Sequence, residues 1–140
     1  MNDDLSRFIA ADRLAAHLGI EILECADGRA TGRMTVKDFH RNSAGTLHGG
    51  AIFALADAVF GAASNSHGAL SVAINVSISY FTAVLSGTVT AEAEEVALNP
   101  RLGTWLVHVR DDSGKEIALF QGTVYRKKET LSGQRSEGPG

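Results

Sequence analysis

The spacing of hydrophobic positions along this chain changes three times between helical and alternating, and each change marks a different kind of element. Residues 5–18 place Phe8, Ile9, Ala11, Leu14, Ala15 and Leu18 at helical spacing, which predicts one short helix closed by Gly19. Residues 20–24 suit a strand, Asp27-Gly28 signals a tight turn, and residues 29–36 alternate polar with small or apolar positions, so a hairpin is predicted. A polar, Gly-containing loop over 37–47 leads into a helix predicted from about Gly50 to Ser66, apolar on nearly every side. Beyond His67-Gly68 the period becomes two, with Val72, Ile74, Val76, Ile78 and Tyr80 alternating with Ala73, Asn75, Ser77, Ser79 and Phe81. Further strands are predicted over 88–96, over 104–110 with Trp105, Val107 and Val109 on one face, and over 116–126 after the Asp111-Asp112-Ser113-Gly114 turn. Residues 127–140 hold polar residues, Gly, Pro and a single Leu, which predicts a disordered tail behind one domain of residues 1–126.

One long helix against six strands predicts an α+β fold in which a strongly curved antiparallel sheet wraps that central helix. A chain of 140 residues is long enough to bury about two-thirds of its unfolded surface in one domain. The net charge of −3, with no basic run longer than Arg126-Lys127-Lys128, argues against nucleic acid as a partner. No uninterrupted apolar stretch approaches the roughly 18 residues of a membrane span, so no membrane partner is expected. The first residues include Asp3 and Asp4 and lack a basic segment followed by an apolar one, unlike a secretory signal. With Cys25 as the single cysteine, a cytoplasmic location is expected, and Cys25 reads as a core or strand filler.

The chemistry concentrates between Thr46 and Gly61. There two glycines, Gly49 and Gly50, open an apolar helix that carries one carboxylate, Asp57, at its middle. Asp is a poor helix former and costly to bury, so its presence among Leu, Ala, Val and Phe needs a reason. One reading is an Asp that leans to the surface or takes a structural hydrogen bond. The other is a desolvated carboxylate with a raised pKa, acting as general base or as nucleophile, and the residues leave those two roles open. Gly49-Gly50 reads either as a flexible loop-to-helix junction or as a helix start whose Gly49 amide stabilises an oxyanion. Gly49 and Asp57 are eight residues apart, about 12 Å along a helix axis. That is too far for both to serve one carbonyl, so a site shared between two subunits is expected. His40, His67 and His108 lack ligand-like spacing with one another and with carboxylates, so no metal is expected, and no phosphate loop or serine nucleophile elbow occurs. Trp105 reads as core.

The run Asn42-Ser43-Ala44-Gly45-Thr46-Leu47-His48-Gly49-Gly50, then Leu55-Ala56-Asp57, Ala63-Ser64-Asn65 and the ending Ala118-Leu119-Phe120-Gln121-Gly122-Thr123-Val124-Tyr125, resembles the hotdog-fold acyl-CoA thioesterases. The likeness is to their PaaI-like branch, linked to phenylacetate degradation, and spans about residues 14–126. It implies a homodimer with a continuous sheet, often paired again into a tetramer, that hydrolyses a thioester of coenzyme A without metal or cofactor. Asp57, Gly49 and Asn42 are then the catalytic candidates, with Asn42 placing the water or the carbonyl. As a plain residue, Asn42 beside Ser and Gly is also an ordinary turn former. His48 is expected to position rather than to react. Gly50, Asn75 and Ser77 are candidates for the substrate site, although Asn75 and Ser77 read equally as plain sheet-face residues. Where the family commonly has a basic residue and a proline after its Tyr-Phe pair, Tyr80-Phe81 is followed by Thr82-Ala83. That leaves Arg101, or Arg126-Lys127, to meet the coenzyme A phosphates. The expected substrate is an aryl-acetyl or similar small hydrophobic acyl-CoA. A hotdog protein that binds an acyl-CoA or other small ligand without turning it over is the alternative. A dehydratase is disfavoured because His48-Gly49-Gly50 offers no His–carboxylate pair.

Overall fold

In the computed structural model, which describes residues 1–133, the N-terminal apolar segment forms two helices rather than one. Helix α1 (Asp3–Ala10) begins at Asn2, whose side chain accepts a 2.8 Å hydrogen bond from the Leu5 amide. Helix α2 (Arg13–Leu18) begins at Asp12, whose carboxylate accepts from the Ala15 amide at 3.0 Å. The expected continuous helix over 5–18 is broken because an Asp satisfies unpaired amides at a helix start better than it sits in a helix interior. Gly19 closes α2 at φ 76°, as the sequence predicts.

Strands β1 (Glu21–Ala26) and β2 (Arg29–Thr35) form the predicted hairpin. Asp27 and Gly28 both take positive φ, 53° and 80°, the turn whose twist matches a two-residue hairpin. A 3-10 turn (Asp38–His40) and a loop lead to α3 (Gly49–Asn65). Strands β3 (Ala69–Tyr80), β4 (Thr88–Leu98), β5 (Leu102–Arg110) and β6 (Glu116–Thr130) complete the chain. All neighbours pair antiparallel in the order β1-β2-β4-β5-β6-β3, so among the described residues β3 pairs only with β6 and keeps one edge open.

Helix α3 packs across all six strands, the arrangement expected of a sheet wrapped around one helix. Its Leu55, Ala56, Val59 and Phe60 meet Met34, Val89, Trp105, Val107 and Phe120 in a fully buried core. Burying each of the larger side chains contributes about 1.5–3 kcal/mol. The Phe60 ring lies 5.4 Å from Phe120 and 6.2 Å from Trp105, and a Cβ on Gly122 would come within 2.6 Å of it, so only glycine fits beneath that ring. Trp105 is core, and its indole donates to the Gly28 carbonyl at 2.7 Å; Cys25 is buried with its thiol on the Ala62 carbonyl.

The structure departs from expectation in three further places. The sheet covers only part of α3, leaving a stripe of Gly50, Phe53, Ala54, Asp57, Ala58 and Gly61 open or half-open. Strand β6 continues past Arg126 through Thr130, which pairs with Ala69, and Leu131 packs against the core while its amide donates to Gly68. The tail expected from residue 127 therefore does not begin there, and its remainder, 134–140, lies outside the described residues. Strand β3 also carries an irregularity: Ala73 faces Val124 but Asn75 faces Thr123, so one residue of β3 is extra. Every later side chain changes face, which the alternation in the sequence does not show.

Candidate active site

The loop before α3 is held by its own polar groups. Asn42 is the hub, its Oδ1 accepting from the Ala44 and Thr46 amides at 3.0 and 3.1 Å while its Nδ2 donates to Thr46 Oγ1 at 3.0 Å. Arg41 Nη1 donates to the Gly45 and Leu85 carbonyls, and the His48 amide donates to the His40 carbonyl. Asn42 thus builds the loop, and its amide nitrogen retains a second N–H beyond the one given to Thr46.

His48 is the N-cap of α3, with extended backbone at φ −62° and ψ 135°. Its Nδ1 accepts from the Gly50 amide at 2.8 Å, so the imidazole is neutral at Nδ1 and its remaining proton is on Nε2. That uses the Gly50 amide. The Gly49 amide has no acceptor among the described residues. The start of α3 therefore holds one free N–H where the helix dipole favours negative charge.

Asp57 sits two turns further along α3, about 12 Å from Gly49 at 1.5 Å per residue. It stands in the stripe that the sheet leaves open and is exposed in the single chain, rather than enclosed as the apolar helix predicts. The carboxylate has no hydrogen-bond or ion-pair partner among the described residues. It borders a groove of about 500 Å³ between α3 and the two N-terminal helices. Apolar walls come from Phe8, Ile9, Ile20, Ile22, Phe60 and Val124, and Asp12 is the other ionisable side chain on them. Loss of water in this groove raises the Asp57 pKa above its ordinary value, and the Asp12 charge raises it further.

The structure brings Asn42, His48, Gly49 and Gly50 together at the head of α3. Two residues read equally as substrate-site or plain sheet-face candidates lie away from the groove. Asn75 and Ser77 pair with Thr123 and Gln121, on the sheet face opposite to the helix-facing Phe120 and Gly122, and neither borders the groove. The irregularity in β3 puts Ser71 and Ala73 there instead. Arg101 is exposed on the β4–β5 turn, also outside the groove. The walls given by Phe8, Ile9 and Asp12 had one usable signal, the Asp at position 12 interrupting an otherwise helical pattern. Tyr80 is a further contact that spacing did not reveal: its hydroxyl donates to the Gly49 carbonyl at 2.9 Å.

These features have counterparts in known proteins. Residues 44–118 match the thioesterase superfamily. An Archaeoglobus fulgidus protein named as a candidate esterase is 48% identical over 119 residues, covering 84% of this chain and 77% of that one. The Escherichia coli acyl-coenzyme A thioesterase PaaI is 33% identical over 124 residues, 88% of this chain and 89% of that one. The solved structure of the E. coli PaaI protein from the phenylacetic acid degradation operon superposes with a TM-score of 0.87 at 31% identity, covering 91% of this chain and 93% of that one. By fold, by the head of α3 and by these matches, the chain belongs to the thioesterase superfamily, with the hotdog fold that its motifs suggested.

Proposed function

We propose that this chain hydrolyses the thioester of an aryl-acetyl or similar small hydrophobic acyl-CoA, releasing the free acid and coenzyme A. The observation that carries the reading is Asp57, a carboxylate with no partner among the described residues and with a raised pKa, on the wall of an apolar groove. A raised pKa makes a carboxylate a stronger base. As general base Asp57 takes a proton from water, whose oxygen adds to the thioester carbon; as nucleophile its own oxygen adds, and water then opens the resulting anhydride. In either case the carbonyl oxygen becomes an oxyanion, and collapse breaks the C–S bond and expels the thiolate. The free Gly49 amide suits that oxyanion, and the second N–H of Asn42 suits the carbonyl or the water.

Gly49 and Asp57 lie too far apart on one helix to act on one thioester, so each site takes Gly49 from one subunit and Asp57 from another. The open edge of β3 supports such a dimer, since an unpaired edge is a template for a second strand. Ile74, Tyr80 and Phe81 on and beside that edge are exposed in the single chain. Pairing of two such dimers into a tetramer extends the same reading. A groove of about 500 Å³ with aliphatic and aromatic walls fits a small apolar acyl group, and the phenylacetic acid operon of the E. coli relative supports an aryl-acetyl one. Thiol release measured across aromatic and straight-chain acyl-CoAs tests it. Faster turnover of small aryl-acetyl thioesters is the expected result. Tight binding of all of them without thiol release would favour a ligand-binding protein instead.

A further inference from the structure

We propose that Tyr80 is a positioning residue that aims the Gly49 amide at the substrate oxygen; the inference rests on the reading of that amide as the oxyanion donor. Two consecutive glycines leave the chain with little intrinsic preference at a place where a donor must point in one direction. The structure supplies the missing constraint from outside. The peptide unit joining Gly49 to Gly50 is held at both ends. Its carbonyl accepts from the Tyr80 hydroxyl at 2.9 Å, and its N–H donates to His48 Nδ1 at 2.8 Å. The Gly49 N–H belongs to the preceding peptide unit, whose His48 carbonyl accepts from the Ala51 and Ile52 amides at 2.9 and 3.1 Å. With the units on both sides of the Gly49 Cα held, the direction of that N–H is set.

The contact is more than a chance hydroxyl. A Cβ on Gly49 would stand 3.2 Å from the ring carbon that bears the Tyr80 hydroxyl, so the phenol covers the place a side chain would take. Tyr80 is the last residue of β3, paired with Ala118 of β6, and its backbone is set by the sheet rather than by the loop it contacts. Partial burial raises the phenol pKa, which keeps the hydroxyl protonated and therefore a donor at neutral pH. His48 grips one end of the glycine peptide from within the loop, and Tyr80 grips the other from the sheet. A donor that is aimed before the charge develops needs no reorganisation during the reaction.

Kinetics of Tyr80→Phe test this, because that change removes the hydroxyl and keeps the ring. The expected result is a kcat lower by about tenfold, with KM within about twofold, the signature of a contact that counts only in the transition state. The kcat–pH profile should keep its shape, since Asp57 is untouched. Replacement of Tyr80 by 3,5-difluorotyrosine, whose phenol ionises near neutral pH, gives a second readout in a side chain of nearly the same form. Its kcat should fall as the phenol loses its proton and can no longer donate, whereas native kcat should not fall over that range. An unchanged kcat in Tyr80→Phe, or a loss confined to KM or to thermal stability, would overturn the inference. If Gly49→Pro abolishes turnover while both Tyr80 variants match the native chain, only the role of Tyr80 fails; if Gly49→Pro retains turnover, the underlying reading of the Gly49 amide fails.

Discussion

Asp57 is the residue on which the chemical reading turns, and its surroundings make two separate predictions. As base or nucleophile it must be ionised, so kcat should rise as pH passes its raised pKa, and Asp57→Asn should lose more than about tenfold in kcat, over ~1.4 kcal/mol of barrier. Stability should move the other way. Loss of water and the Asp12 charge raise the pKa in the folded chain above its unfolded value. Protonated Asp57 then contributes stability that is present in full below the unfolded pKa and lost as pH rises through the folded one. Asp57→Asn should therefore melt higher than the native chain near pH 7, and the difference should close below about pH 4. A thermal-melt series over that range reads it directly, and an Asn variant that is less stable at neutral pH would contradict the assigned environment. Sequence made the identity of this side chain legible, because an Asp in so apolar a helix stands out. Its exposure was not legible, since what covers a helix is a property of several elements at once.

Among the elements, those with local signals were readable. The Asp27-Gly28 hairpin, the Gly19 cap and the span of α3 all follow from residues adjacent in the chain. The change of face in β3 does not, because it arises from the register against β6, a relation between residues nearly fifty positions apart. The alternation through β3 accordingly suggested Asn75 and Ser77 for the substrate side, whereas Ser71 and Ala73 border the groove. Asn75→Ala and Ser77→Ala should leave kcat/KM within about threefold of native, as surface changes away from a site do. Ala73→Leu should lower it by at least about tenfold for aryl-acetyl substrates, by filling the groove. Equal losses from all three would mean that the outer face of β3 also meets the substrate. The last strand offers a comparison in stability. A chain ending at Lys128 removes Thr130, paired with Ala69, and Leu131, packed on the core, so it should melt several degrees below a chain ending at Gly133. Coincident melts would mean that the end of β6 contributes nothing.

At the scale of the whole molecule, the curved antiparallel sheet around one helix was legible from simple proportion, one long helix and six strands. What a single chain does not reveal is the completed site. Gly49 and Asp57 lie eight residues apart on one helix, and among the described residues β3 ends the sheet with an unpaired edge. The proposed reaction therefore requires two chains. Subunit complementation measures this most directly. Asp57→Ala removes the carboxylate. Gly49→Pro removes the amide donor at a position where proline suits the helix start and the extended His48 before it, the exposed Tyr80 ring giving way slightly to the new Cβ. Each variant alone should be inactive. Mixed under conditions in which subunit exchange is verified, they should recover part of the native thioesterase activity, because each mixed dimer holds one intact site. Verified exchange with no recovery would contradict a site shared between subunits.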